Sequence, residues 1–140
     1  MRKQESFRCS LTIIDTSVLI PFLNGAPEVV DKVREVSSKT DRIQITIITA
    51  YEIMKGAYLS SKREDNIEDV KEAISNMQIL DLSPQACEEA SRIFYSLKES
   101  GKMISEFDIL IAAIAKTNGE DILTRDRHFE SIKGIDLIRW

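Results

Sequence analysis

Short, nearly continuous apolar runs alternate along this chain with longer stretches in which apolar residues recur at helical spacing. Residues 11–14 form the first apolar, β-rich run, and residues 43–48 repeat the pattern, so both read as buried strands. Between them Pro27 opens a segment with Val29, Val30, Val33 and Val36 close to helical spacing and charges elsewhere, the mark of a crossover helix. Two helices are expected over 49–60 and 67–74, separated by the charged stretch 62–65, and a third strand over 78–82. Ser83 caps and Pro84 opens a helix that should end at Gly101. A helix over 105–116, apolar on nearly every face and closed by Asn118 and Gly119, should be buried. Strands over 121–124 and 135–138 complete the set. Strand, helix, strand in this order favours parallel pairing through right-handed crossovers, and hence a three-layer α/β/α domain with a mainly parallel, about five-stranded central sheet.

A length of 140 residues suits one domain. No stretch is long and charge-free enough to cross a bilayer. Residues 1–10 are charged and lack the apolar segment of a secretory signal, so they read as an N-terminal extension before a domain over 11–140, and a cytoplasmic location is expected. The two cysteines, Cys9 and Cys87, have no zinc or redox spacing and read as free thiols. A net charge of −4 runs against the basic balance common in nucleic-acid binders, so any such activity needs a local cationic surface.

In an open parallel sheet, functional groups collect beyond the carboxyl ends of the strands. Asp15 directly follows the first strand, Glu52 falls in the expected first turn of the helix after the second, and Asp126 follows the fourth by two residues. Asp108, in the first turn of the helix feeding the fourth strand, reaches the same edge if that helix runs antiparallel to the strand. Each acid has an ordinary alternative. Thr49 to Glu52 and Ser105 to Asp108 resemble capping boxes, and Asp15 and Asp126 could be turn formers. Four carboxylates on one edge, however, would repel and raise one another's pKa unless a cation sat among them. Without His or Cys companions, such a set suits a hard ion such as Mg²⁺.

Taken in order, Ile14-Asp15-Thr16-Ser17-Val18-Leu19-Ile20, Tyr51-Glu52, Phe107-Asp108-Ile109-Leu110-Ile111-Ala112-Ala113 and Leu123-Thr124-Arg125-Asp126-Arg127-His128-Phe129 resemble the motifs of PIN-domain proteins, and in size and motif content those of VapC-type toxin ribonucleases. The resemblance covers nearly the whole chain. It implies that Asp15, Glu52, Asp108 and Asp126 form an acidic quartet binding Mg²⁺ or Mn²⁺, with Ser17 or Thr124 supporting it by hydrogen bonds. The implied reaction is hydrolysis of an RNA phosphodiester, the acids holding metal rather than attacking phosphorus. It further implies a homodimer and a small antitoxin that occludes the site and brings operator DNA only indirectly. Residues 1–10 and the acidic charge balance depart from the pattern.

Other residues are weaker candidates. His128 is the only histidine and has no evident partner for acid–base work. Arg125, Arg127 and Lys102 could neutralise phosphate, Arg125 being the one assigned to substrate, or could simply form surface ion pairs. Glu106 could support the metal from outside or be a solvated first-turn acid. Ile93, Phe94 and Leu97 could face a partner or the core. A phosphoacceptor receiver would need an early acidic pair, which Asp15 lacks. A non-catalytic PIN-like RNA- or protein-binding module would fit loss of an acid, and all four positions are acidic.

Overall fold

The computed structural model describes residues 11–37 and 42–140. The expected extension at 1–10, with Cys9, lies outside the described residues. The chain runs β1 (Ile13–Ile14), α1 (Thr16–Leu23), α2 (Pro27–Val36), β2 (Gln44–Thr46), α3 (Ile47–Tyr58), α4 (Arg63–Ser75), β3 (Gln78–Leu80), α5 (Pro84–Ser100), α6 (Glu106–Asn118), β4 (Ile122–Thr124), a 3₁₀ turn (Arg127–Ser131) and β5 (Leu137–Arg139). The strands form one sheet in the order β3-β2-β1-β4-β5, and every pair is parallel.

The sheet is thin, and its successive side chains feed opposite layers. Ile13 and Ile122 pack against Ile93 and Leu97 of α5 and Ile109 and Ala113 of α6. Ile14, Ile45 and Leu123 pack on the other face against Val18 and Leu19 of α1, Val29 and Val33 of α2 and Ile53 of α3. This period-two alternation makes the domain three layers deep and buries both faces, as parallel sheets require. In α6, Ile109 and every residue from Ile111 to Ala115 are buried. Its end is set by Gly119, whose φ of 65° is the left-handed conformation that releases a helix.

Three boundaries differ from expectation for identifiable reasons. The run at 43–48 is not all strand: Ile47 and Ile48 begin α3, because the Thr46 hydroxyl accepts from the Thr49 amide and caps the helix there. The charged stretch expected to separate two helices belongs largely to α4, with Glu64 and Asp65 favoured in its first turn by the helix dipole. Helix α1 was not anticipated. Its β-branched Thr16, Val18 and Ile20 and its internal Pro21 argue locally against a helix, yet burial of Val18 and Leu19 outweighs them.

Strand order places the site. β2 and β3 are added on one side of β1 and β4 and β5 on the other, so the order of strand addition reverses between β1 and β4 while all strands stay parallel. The crevice beyond such a switch point is where open α/β sheets bind ligands. The observed strand order is not that of a phosphoacceptor receiver.

Candidate active site

Asp15 leaves β1 and is at once the N-cap of α1, so one residue ends a strand, starts a helix and points a carboxylate into the switch-point crevice. It is only 3% exposed. Its Oδ2 accepts from the Ser17 hydroxyl at 2.8 Å, the Thr124 hydroxyl at 2.8 Å and, more weakly, the Ser17 amide at 3.4 Å. Each hydroxyl is oriented in turn from the other side. Thr124 Oγ1 accepts the Asp126 amide at 2.9 Å, and Ser17 Oγ accepts the Arg125 amide at 3.0 Å. With acceptor positions filled by backbone N–H groups, both hydroxyl protons are directed to Asp15, which fastens the end of β4 to the start of α1.

Glu52 does not sit in the first turn of its helix. Because Thr46 is the cap, Glu52 is a full turn further along α3, beyond reach of a capping-box bond and of the strongest part of the helix dipole. Its Oε1 instead accepts from the Thr16 hydroxyl of α1 at 2.9 Å. Asp108 does occupy the first turn of α6, but the helix is capped by Ser105, which accepts from the Phe107 amide, and the Asp108 carboxylate makes no bond back to the cap. Asp126 caps the 3₁₀ turn by accepting the His128 amide at 2.9 Å.

The electrostatics of Asp108 reflect its acidic neighbours. Asp108, with its side chain 15% exposed, has its pKa raised to about 6, first by burial and then by the carboxylates of Asp126, Asp15 and Glu52, with His128 acting in the opposite sense. All three other acids are near enough to disfavour its charge. His128 Nδ1 lies 3.2 Å from Asp126 and 3.6 Å from Asp108. One ligating atom each from Asp108, Asp126 and His128 falls within 4.8 Å of the others, a spacing that could hold an ion. A divalent cation fits this set: it would relieve the repulsion that burdens Asp108, and the donors are predominantly carboxylate oxygens.

The remaining candidates separate. His128, without an evident partner in the sequence, lies two residues after Asp126, whose carboxylate accepts its amide in an Asx-type turn. The Arg125 guanidinium lies over the Trp140 ring, 4.3 Å from its centroid. Arg127 is exposed. Lys102 lines a separate depression with Lys116, Ser131 and Lys133. Exposed Glu106 lines another with Cys87, Phe94 and Leu110. Ile93 and Leu97 are core residues, and Phe94 is half-buried beside them. A groove of about 400 Å³ between α1, α3 and α4 runs from Glu52 along Ile20, Leu23, Ile53, Ala57 and Val70.

A family profile described as PIN domain matches residues 12–135. The tRNA(fMet)-specific endonuclease VapC of Salmonella typhimurium is 32% identical over 130 residues, which are 91% of this chain and 96% of that protein. Ribonuclease VapC2 of Haemophilus influenzae is 28% identical over the same shares. Among solved structures, DNA-bound VapBC from Salmonella typhimurium matches with a TM-score of 0.82 at 30% identity, covering 92% of this chain and 97% of that one. VapBC2 from Rickettsia felis, bound to a promoter DNA fragment, shares the fold with a TM-score of 0.82 at 24% identity, covering 92% and 98%. The chain therefore belongs to the PIN-domain family and resembles its VapC members along nearly its whole length.

Proposed function

We propose that this protein is an Mg²⁺- or Mn²⁺-dependent endoribonuclease, the toxin of a toxin–antitoxin pair, with Asp15, Glu52, Asp108 and Asp126 holding the metal. The observation that carries the reading is the grouping of Asp108, Asp126 and His128 within 4.8 Å at the switch point of a parallel sheet, with the charges of Asp15 and Glu52 adding to the repulsion on Asp108. The chemistry a divalent ion supplies in such a site is an activated water nucleophile and neutralisation of charge on the leaving oxygen. The chain's own contribution is placement. Ser17 and Thr124 fix the Asp15 carboxylate and Thr16 fixes Glu52, as hydrogen-bond partners of metal ligands do, while His128 Nδ1, 3.2 Å from Asp126 and 3.6 Å from Asp108, is placed to share the ion with those two carboxylates. Arg125 is assigned to substrate phosphate.

The partners follow from the same reading. The Salmonella structure pairs a relative with its VapB partner on DNA, which supports a small antitoxin here and operator DNA contacted only through it. The apolar groove beside α1 is the natural seat for such a peptide. Ile20 and Leu23 are exposed along it, and a chain lying there reaches Glu52. A homodimer, a cytoplasmic location and a catalytic unit over 11–140 preceded by an N-terminal extension over 1–10 complete the reading. Among the described residues, no helix is long and apolar enough to cross a membrane.

The test is cleavage of a structured RNA mixture by purified protein with Mg²⁺ or Mn²⁺, beside EDTA and folded Asp15→Asn and Asp108→Asn variants. Cutting by wild type that all three controls abolish supports the metal site. Wild-type protein free of antitoxin and loaded with metal that binds RNA but leaves every RNA intact would favour the alternative, a non-catalytic PIN-like binding module. Native mass measurement tests the dimer.

A further inference from the structure

The acidic centre repels RNA unless cations stand nearby, and the chain as a whole carries a net charge of −4. Among the described residues, Lys55 and Arg125, borne by the segments that carry Glu52 and Asp126, are each held against an aromatic ring. On α3, Lys55 Nζ lies 5.3 Å from the centroid of Tyr51 and 5.2 Å from that of Phe107, whose rings meet edge to face at 5.6 Å. Tyr51 directly precedes Glu52, and Phe107 directly precedes Asp108, so this cluster grows from the two helices that carry those acids. Beyond β4, the Arg125 guanidinium lies over Trp140, whose amide bonds to the Thr124 carbonyl at 3.1 Å. Arg125's own amide bonds to Ser17 in the Asp15 network.

Sheet order puts the two clusters on opposite sides of Asp15: α3 continues from β2, while Arg125 and Trp140 extend β4 and β5. At about 4.8 Å per strand, the ends of β2 and β5 are roughly 14 Å apart. Among the described residues neither Lys55 nor Arg125 has a carboxylate within ion-pair distance, although the chain carries 23 acids. Tyr51 remains 53% exposed and Trp140 38% exposed, so part of each ring stays open to a ligand. An aromatic face beside an unpaired cation matches one nucleotide, the ring stacking the base and the cation meeting its phosphate. A guanidinium plane also stacks bases directly.

We propose that Tyr51 with Lys55, and Trp140 with Arg125, form two nucleotide subsites that grip unpaired RNA on either side of the phosphate held at the acidic centre. This deepens the nuclease reading and rests on it for the position of the cut, while the grip itself is measurable without cleavage. The probe is a fluorescein-labelled, mixed-sequence single-stranded RNA 12-mer, followed by anisotropy in EDTA, with quenching of Trp140, the chain's single tryptophan, as a second signal. Tyr51→Ala and Trp140→Ala should each weaken binding about tenfold, whereas Tyr51→Phe and Trp140→Phe stay within about twofold. Lys55→Gln and Arg125→Gln should each lower the slope of log affinity against log salt by about 0.7. Arg125 is exposed, so Arg125→Gln reports on its subsite even if Trp140→Ala does not fold.

Folded variants that bind with wild-type affinity and salt slope overturn the proposal, as do Phe variants that lose as much as Ala variants, or a wild type that does not bind the 12-mer. Wild type that cuts RNA while the variants bind normally removes the subsites and leaves the nuclease intact. The expected binding losses in a wild type that cuts nothing leave the subsites and remove the nuclease.

Discussion

The Asp15 corner and the Asp108–Asp126 corner of the same crevice are built in opposite ways. Asp15 is almost sealed and accepts bonds from two hydroxyls and an amide, each hydroxyl backed by a further amide. Asp108, more open than Asp15, has His128 and like-charged carboxylates beside it, and its burial and those charges raise its pKa to about 6. One carboxylate helps to hold the fold together, while the other is tolerated by it. The difference indicates which acid the sheet uses as a joint and which it holds among like charges, since a carboxylate whose pKa is raised by burial and neighbouring acids tends to mark a site of chemistry.

The sharpest way to break that contrast is to compare activity with stability at the two corners. Asp15→Asn and Asp108→Asn should each lower RNA cleavage by at least about 100-fold, because each removes a ligand charge from the proposed metal site. Their effects on folding should diverge. Asp15→Ala should cost about 2–4 kcal/mol in urea unfolding, through loss of the helix cap and stranding of the Thr124 hydroxyl, whereas Asp108→Asn should stabilise the metal-free protein at pH 7. Equal destabilisation at both corners would remove the distinction.

Proton linkage supplies the next test. Because folding raises the pKa of Asp108, the folded state binds the extra proton, so this group's contribution favours folding at low pH and is lost as pH rises from about 4 to about 6. For a side chain 15% exposed, the full span is on the order of 2–3 kcal/mol. Stability curves of wild type and Asp108→Asn in EDTA should therefore separate across that window, the variant gaining on wild type as pH rises. Added Mn²⁺ or Mg²⁺ should then raise the melting temperature of wild type at pH 7 and do so much less in Asp108→Asn.

Smaller effects refine the picture. Thr124→Val keeps the shape but strands the Asp126 amide and removes a donor to Asp15, so it should cost about 1–2 kcal/mol and reduce cleavage about tenfold. Glu106→Gln, two residues from Asp108 but facing the depression with Cys87, should leave cleavage unchanged and stability within about 0.5 kcal/mol.

Much of this molecule was readable from residue order alone. The buried strands, the helices opened by Ser83 and Ser105 and closed by Gly101 and Gly119, and the placing of acids just past strand ends all follow from local rules: periodicity, capping and the chirality of crossovers. Those rules act over a few residues and survive in any context. What they could not decide was anything set by competition between distant parts. Helix α1 forms against its own propensities because Val18 and Leu19 find a core. Capping of α3 by Thr46 moves Glu52 out of the capping position expected from its spacing to Thr49. His128 had no visible partner until β4 and α6 brought Asp126 and Asp108 beside it. The chain's order determined which acids existed at which strand ends; only the packed sheet decided which were held by hydrogen bonds and which were left repelling one another, because burial and charge coupling depend on neighbours that lie far away in sequence.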